Sequence, residues 1–201
     1  MQSGIFRKAR YLNSAHTLAQ LPPDQGVEIA FAGRSNSGKS SVINTLTGNR
    51  TLARTSKTPG RTQQINFFSL DHGARLVDLP GYGYARVPEA MRKHWAKTLA
   101  AYLETRKSLQ GLVLILDIRR GAGEFDMQLL EWGHIYGLPL QVLMNKADKL
   151  SRQAAGKALD ALRRTMDARG WPDTGLQLFS AMKKTGTGEL EARLETWLQR
   201  H

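Results

Sequence analysis

A chain of 201 residues, 41% of them hydrophobic, can bury one sizeable core but is short for two, and its lack of cysteine excludes disulfides and thiolate metal sites. No apolar stretch follows the basic residues Arg7, Lys8 and Arg10, and the longest apolar run, Leu112–Leu116, cannot span a bilayer, so neither a secretory leader nor a membrane partner is expected. The 29 Lys and Arg against 17 Asp and Glu leave a formal charge of +12, which predicts attraction to a polyanion, nucleic acid foremost, in a reducing cytoplasm.

Residues 1–26 read as a mixed, basic lead-in closed by Leu21-Pro22-Pro23, expected to pack on a single domain of residues 27–201. Val27–Ala32 is an apolar run that stops at Gly33 and predicts a strand. Ile65–Leu70 and Arg75–Val77 predict a hairpin around Asp71-His72-Gly73. After Pro88, Met91, Trp95, Leu99 and Leu103 recur every fourth residue, the period of a helix with one apolar face. Leu112–Ile118 and Leu140–Met144 are continuous apolar runs, the pattern of parallel strands covered on both faces. Ala158, Leu159, Leu162 and Met166 mark a helix after Ser151, Leu176–Phe179 a last strand, and Leu190, Leu194 and Leu198 a last helix. The alternation predicts a three-layer α/β fold: a mostly parallel six-stranded sheet with one antiparallel edge strand and helices on both faces.

Between the first strand and its helix lies Gly33-Arg34-Ser35-Asn36-Ser37-Gly38-Lys39-Ser40, which satisfies G-x-x-x-x-G-K-[ST] in the setting that motif requires. The two glycines let the backbone wrap a phosphate group with its N–H groups inward, and the helix adds its positive dipole end. Lys39 supplies a cation for the β- and γ-phosphates, and the Ser40 hydroxyl is a ligand for Mg²⁺. With Ser41 on the following turn, this is the candidate phosphate site.

Asn145-Lys146-Ala147-Asp148 follows the strand Leu140–Met144, at the sheet edge where open α/β folds bind ligands. A carboxylate only accepts hydrogen bonds, so Asp148 matches the adjacent ring N–H and amine of guanine and opposes the lone pair of adenine. Asn145 can read the other edge of the base and tie this loop to the phosphate loop, while the Lys146 stem covers the ring. Phe179, Ser180 and Ala181, one strand later, bring N–H groups suited to the guanine carbonyl. Asp78-Leu79-Pro80-Gly81 ends the strand Arg75–Val77, with Asp78 placed to hold Mg²⁺ through water and the Gly81 N–H to sense the γ-phosphate. The polar loop Arg54–Gln64 between them offers Thr55, Ser56, Thr58 and Thr62 as hydroxyls to complete the Mg²⁺ shell.

With these motifs in order, the chain resembles the translation-factor-related P-loop GTPases of Ras-like fold, and within them the EngB family. The stretches that carry the likeness are Gly33-Arg34-Ser35-Asn36, Thr58-Pro59-Gly60-Arg61-Thr62 and Asp78-Leu79-Pro80-Gly81-Tyr82-Gly83-Tyr84-Ala85. The resemblance implies that Thr62 is the Mg²⁺-binding switch residue, with Gly60 and Arg61 beside the nucleotide, and that Lys39, Thr62 and Gly81 act in hydrolysis of GTP to GDP. It also implies binding to the large (50S) ribosomal subunit or its precursors, through rRNA and ribosomal proteins, in the bacterial cytoplasm, with growth and septation depending on it. Asn36 resembles the potassium-coordinating asparagine of related GTPases, the alternative being that it only shapes the loop. Tyr82 stands where Ras-like proteins carry a water-orienting glutamine, so slow intrinsic hydrolysis is expected, whether or not the ring simply packs.

The basic loop Arg50, Arg54, Lys57 and Arg61 and the helix residues Arg92, Lys93, Lys97, Arg106 and Lys107 are candidate RNA contacts. The four tryptophans are expected in the core or at helix edges, and the free protein is expected to be a monomer. Two rival readings use the same phosphate loop: a phosphotransferase, which would need an acceptor pocket and lid that no segment after Gly38 supplies, and a scaffold that binds GTP without hydrolysis.

Overall fold

Branched and aromatic residues cluster in short runs separated by amphipathic stretches, and the structure, a computed structural model, sorts the runs into a sheet and the stretches into its two covers. It describes residues 4–53, 64–83 and 89–199, the side chains of 89–96 excepted. In chain order the strands are β1 (Arg10–Ala15), β2 (Glu28–Gly33), β3 (Ile65–Ser69), β4 (Arg75–Asp78), β5 (Leu109–Asp117), β6 (Leu140–Asn145) and β7 (Gly175–Leu178). The α-helices are α1 (Lys39–Thr47), α2 (Glu89–Thr105), α3 (Glu124–Ile135), α4 (Arg152–Ala168) and α5 (Thr187–Leu198). The strands form one sheet in the order β1-β3-β4-β2-β5-β6-β7, parallel except that β3 runs against both β1 and β4.

Among the described residues the sheet has seven strands where six are predicted, because Arg10–Ala15 of the lead-in pairs with β3. The single reversed strand therefore lies second from the edge. The sequence hides β1 because its first three residues are exposed and its register slips between Tyr11 and Asn13, so no alternation is left to read. Helix α3 is likewise not singled out by periodicity.

Side chains alternate across the central strands. Ala30, Ala32, Leu112, Leu114, Val142 and Met144 face one core with Leu99 and Tyr102 of α2, Leu130 of α3 and Met166 of α4. Ile29, Phe31, Val113, Ile115 and Leu143 face the other, with Ile43 and Leu46 of α1, Leu190, Leu194 and Trp197 of α5, and Phe6. Each such large apolar side chain contributes roughly 1.5–3 kcal/mol when fully buried. Trp197 lies against β5 where Gly111 leaves room, and a β-carbon there would collide with the indole. Trp171 is also buried and Trp132 partly so, while the side chain of Trp95 is outside the described residues.

At the opposite end of the sheet from the glycine loop, Glu28 is wholly buried. It accepts from Arg75 Nε at 2.9 Å, from Arg106 at 2.6 and 2.9 Å, and from the Tyr102 hydroxyl at 2.9 Å. Burial, with the Glu28 charge beside it, pushes the Tyr102 phenol far above its ordinary range and keeps it a donor. Arg106 therefore fastens the end of α2 to the sheet and is not a free surface cation. Its pairing with Glu28, 78 residues away, is invisible to local spacing.

Candidate phosphate and base site

Strands β2, β5 and β6 end side by side, and the loops that follow them converge at one edge of the sheet. Gly33 closes β2 where a side chain would strike Ser37 Oγ and the Ile115 carbonyl. Asn36 (φ +65°) and Gly38 (φ +96°) are left-handed positions, and a side chain at Gly38 would run into the Asn145 amide. Such alternation in a tight loop turns consecutive N–H groups to one concave side, an anion-binding geometry. Ser37 N donates to Arg34 O at 3.0 Å, and α1 starts at Lys39 with its dipole aimed at the loop. Among the described residues, Ser35 Oγ and Ser37 Oγ are buried without a protein hydrogen-bond partner, polar atoms available to a ligand held in the loop.

Lys39 Nζ pairs with Asp78 Oδ1, which brings the cation of the loop to the acid that ends β4. Ser40 and Ser41 follow on the first turn of α1. Leu79 is buried and its N–H donates to Phe31 O at 3.0 Å, so the chain after Asp78 is held to β2. Ser35 N donates to Tyr82 O at 2.8 Å, and a β-carbon at Gly81 would lie within 3.5 Å of Ser35, so the Pro80-Gly81 turn abuts the phosphate loop.

The residues that the sequence assigns to the base meet beside the phosphate loop. Buried Asn145 donates to Ser37 O at 2.9 Å and accepts from Ala181 N at 3.3 Å, joining three loops through one amide. Lys146, at φ +65°, sends Nζ to Asn36 O at 2.6 Å, which lays its stem along the cleft. Asp148 accepts from Ser180 Oγ at 2.6 Å and lies 3.3 Å from Lys149 Nζ. The Ser180 hydrogen bond, with Lys149 adding to it, holds Asp148 below the usual carboxylate range. Phe179 is buried and its carbonyl receives Ala147 N at 3.1 Å. These groups border a cleft of about 620 Å³ whose walls include Gly38, Ser41, Asn145, Lys146, Asp148 and Ala181. Such a cleft can take a purine on the Asp148 side and phosphates toward Lys39.

Two functional neighbours escape the sequence reading. Asp117, the buried last residue of β5, accepts from Lys146 Nζ at 2.9 Å and from the Arg119 fork at 2.9 and 2.6 Å. Chiefly the Arg119 fork, with Lys146 behind it, holds this carboxyl far below its ordinary range. Its one signal is an acid closing an apolar strand at the ligand edge. The second is Asp126 of α3, fully buried, which receives the Tyr82 hydroxyl on one oxygen and Gly123 N at 2.7 Å on the other. Tyr82 is itself buried, with its ring 4.4 Å from that of Phe125. Thr55, Ser56, Thr58, Gly60, Arg61 and Thr62, with Arg54 and Lys57, lie outside the described residues.

Known proteins give the same picture. Residues 28–146 match the family model described as 50S ribosome-binding GTPase. Over 196 residues, 98% of each chain, the sequence is 56% identical to a "Probable GTP-binding protein EngB" of Nitrosococcus oceani. A protein of the same name from Methylobacillus flagellatus is 52% identical over 96% of this chain and 93% of that one. Among solved structures, a GTP-binding protein engB superimposes with a TM-score of 0.71 at 23% identity, over 87% of this chain and all of that one. Era in complex with MgGDPNP and a 16S ribosomal RNA segment has a TM-score of 0.66 at 20% identity, over 88% of this chain and 58% of that one. At these identities the structural matches speak for the fold.

Proposed function

The chain belongs to the EngB family of GTP-binding proteins and is a GTPase, and we propose that it is a slow molecular switch that assists assembly of the large ribosomal subunit. The observation that carries the switch reading is the Asn145 amide, which ties the phosphate loop to both base loops, so that nucleotide occupancy is felt at all three.

Each residue has a task in this reading. Asp148 accepts the two guanine donors and is kept ionised by Ser180; the Ala181 N–H leaves Asn145 for the guanine carbonyl; Lys146 covers the ring, pinned by Asp117. The inward N–H groups of 33–38 cradle the phosphates, and the unpartnered Ser35 and Ser37 hydroxyls fit that cradle. Lys39 leaves Asp78 to neutralise the β- and γ-phosphates, and the Gly81 N–H senses the γ-phosphate beside Ser35. Magnesium bound with the nucleotide neutralises phosphate charge; Ser40, Thr62 and, through water, Asp78 would hold it. Potassium at Asn36 would add positive charge near the transferred phosphate, and it predicts faster GTP turnover in potassium than in sodium buffer.

Slow turnover is supported by Tyr82. Its hydroxyl is engaged by Asp126 and its ring is packed, so it is not free to orient an attacking water. Ribosomal action is supported by the +12 charge and by family membership. It places the protein in the bacterial cytoplasm, with growth and septation suffering when it is lost. Cosedimentation with large-subunit precursors in GTP-analogue, GDP and nucleotide-free states tests the reading. Strongest binding with the analogue is expected, and absent or state-independent binding would leave only the GTPase.

A further inference from the structure

The turn that reads the base has an outward side that guanine chemistry does not use. Ser180 and Thr185 close it with two backbone hydrogen bonds of 3.1 and 3.2 Å, leaving Ala181, Met182, Lys183 and Lys184 in the loop. Its inner side is anchored: Thr45 Oγ1 donates to Ala181 O at 3.2 Å, Ala181 N to Asn145, and Lys183 N to Ser180 Oγ at 3.1 Å. Its outer side consists of Met182, 73% exposed, followed by two exposed lysines. Lys184 is held at φ +56°, a strained conformation for lysine that asparagine or glycine adopts readily.

Arg50 lines the same cleft as Lys184 and Lys149, and its carbonyl is fixed by Asn44 Nδ2 at 3.0 Å. Among the described residues the one acid in that lining is Asp148, which accepts from Ser180 on one oxygen and pairs with Lys149 on the other. These cations stand at the base end, whereas Lys39 and the N–H cradle stand at the phosphate end. Attraction of the nucleotide's own phosphates therefore does not account for them.

We propose that Lys183, Lys184 and Arg50 form a docking site for an RNA phosphate backbone that lies across the base end of the nucleotide cleft. The site deepens the ribosomal reading above and rests on it. A polyanion fits better than a protein surface, because the patch offers clustered cations around one exposed apolar side chain and no apolar centre. The same turn holds guanine from within, so RNA on its outer side resists the opening that releases nucleotide. By linkage, nucleotide and RNA strengthen each other's retention.

The test compares the native protein with the double variant Lys183→Glu, Lys184→Asn, in which asparagine suits the left-handed position. Fluorescent GDP affinity is expected to stay within about twofold for Lys183→Glu alone, whose side chain is not part of the cleft lining, and the double variant is read against that single variant. Binding to deproteinised large-subunit rRNA is expected to weaken about tenfold near about 0.1 M salt, with the slope of log K against log salt reduced by about two. The rRNA should slow fluorescent GDP release from the native protein and not from the variant. Unchanged rRNA affinity and slope in the variant, beside clear native binding, would overturn the site. Loss of subunit binding with rRNA affinity intact would assign the patch to a protein partner and overturn it too, as would loss of GDP affinity, which would assign the lysines to the nucleotide. If the native protein binds neither subunits nor rRNA, the ribosomal reading itself fails.

Discussion

The Tyr82 hydroxyl and the Asp126 carboxylate meet in the interior, 44 residues apart, and the pair bridges the start of the segment after Asp78 to helix α3. Burial, with the Asp126 charge adding to it, pushes the phenol far above its ordinary ionisation range, so it remains a donor at any physiological pH. Replacing Tyr82 with Phe keeps the ring on Phe125 and strips one donor from a buried carboxylate. Chemical denaturation should show a loss of about 1–3 kcal/mol. GTP turnover should change by far less than the roughly hundredfold expected on losing a general acid or base. The carboxylates of the base site make a second prediction. Asp148 is lowered first by Ser180, and Asp117 first by Arg119. A carboxyl whose folded-state pKa is depressed contributes fully above its ordinary value, and that contribution is lost only as the pH falls through the folded value. These two carboxylates should therefore add no pH dependence to fluorescent GDP affinity from about pH 8 to about pH 5. A midpoint near pH 6 would mean that another group governs binding.

Among the elements, β5 and α5 depend on each other through a missing side chain. Trp197 is 1% exposed and occupies the space over Gly111. Gly111→Ala would force the indole or the helix away, at a cost of about 1–3 kcal/mol from overpacking. The urea midpoint should fall with an unchanged m-value, since the folded and unfolded surfaces stay alike. The same scale explains which elements the sequence reveals. Central strands are buried on both faces and read as continuous apolar runs; α4 carries a one-sided apolar stripe and opens at Ser151, whose hydroxyl accepts Ala154 N at 3.2 Å. Strand β1 has one neighbour and a register slip. Helix α3 leaves Phe125 39% and Ile135 75% exposed, so its apolar residues do not lie on one face.

Taken whole, the molecule places its buried charge network and its ligand cleft at opposite ends of one sheet, with Glu28 starting β2 and Gly33 ending it. The cleft joins residues from loops far apart in sequence, so a ligand that fills it stabilises the assembled fold and not the unfolded chain. Guanine nucleotide at a hundredfold excess over Kd should add about 2.7 kcal/mol of stability, while ATP should add little. Equal thermal shifts with both would remove the base selectivity assigned to Asp148.

The sequence by itself determined the phosphate loop, the order of the motifs and the preference for guanine. Those follow from local chemistry: glycines that free a backbone, a lysine beside a helix start, a carboxylate that can only accept. Only the tertiary structure decided which of these groups touch. It set Lys39 on Asp78, carried the Asn145 amide 108 residues back to Ser37, put Asp117 behind Lys146, and buried Arg106 against Glu28. Each of those contacts has at least one partner at or beside the start or end of a strand, and the sheet order that brings them together is set by packing between distant segments, which no local spacing records.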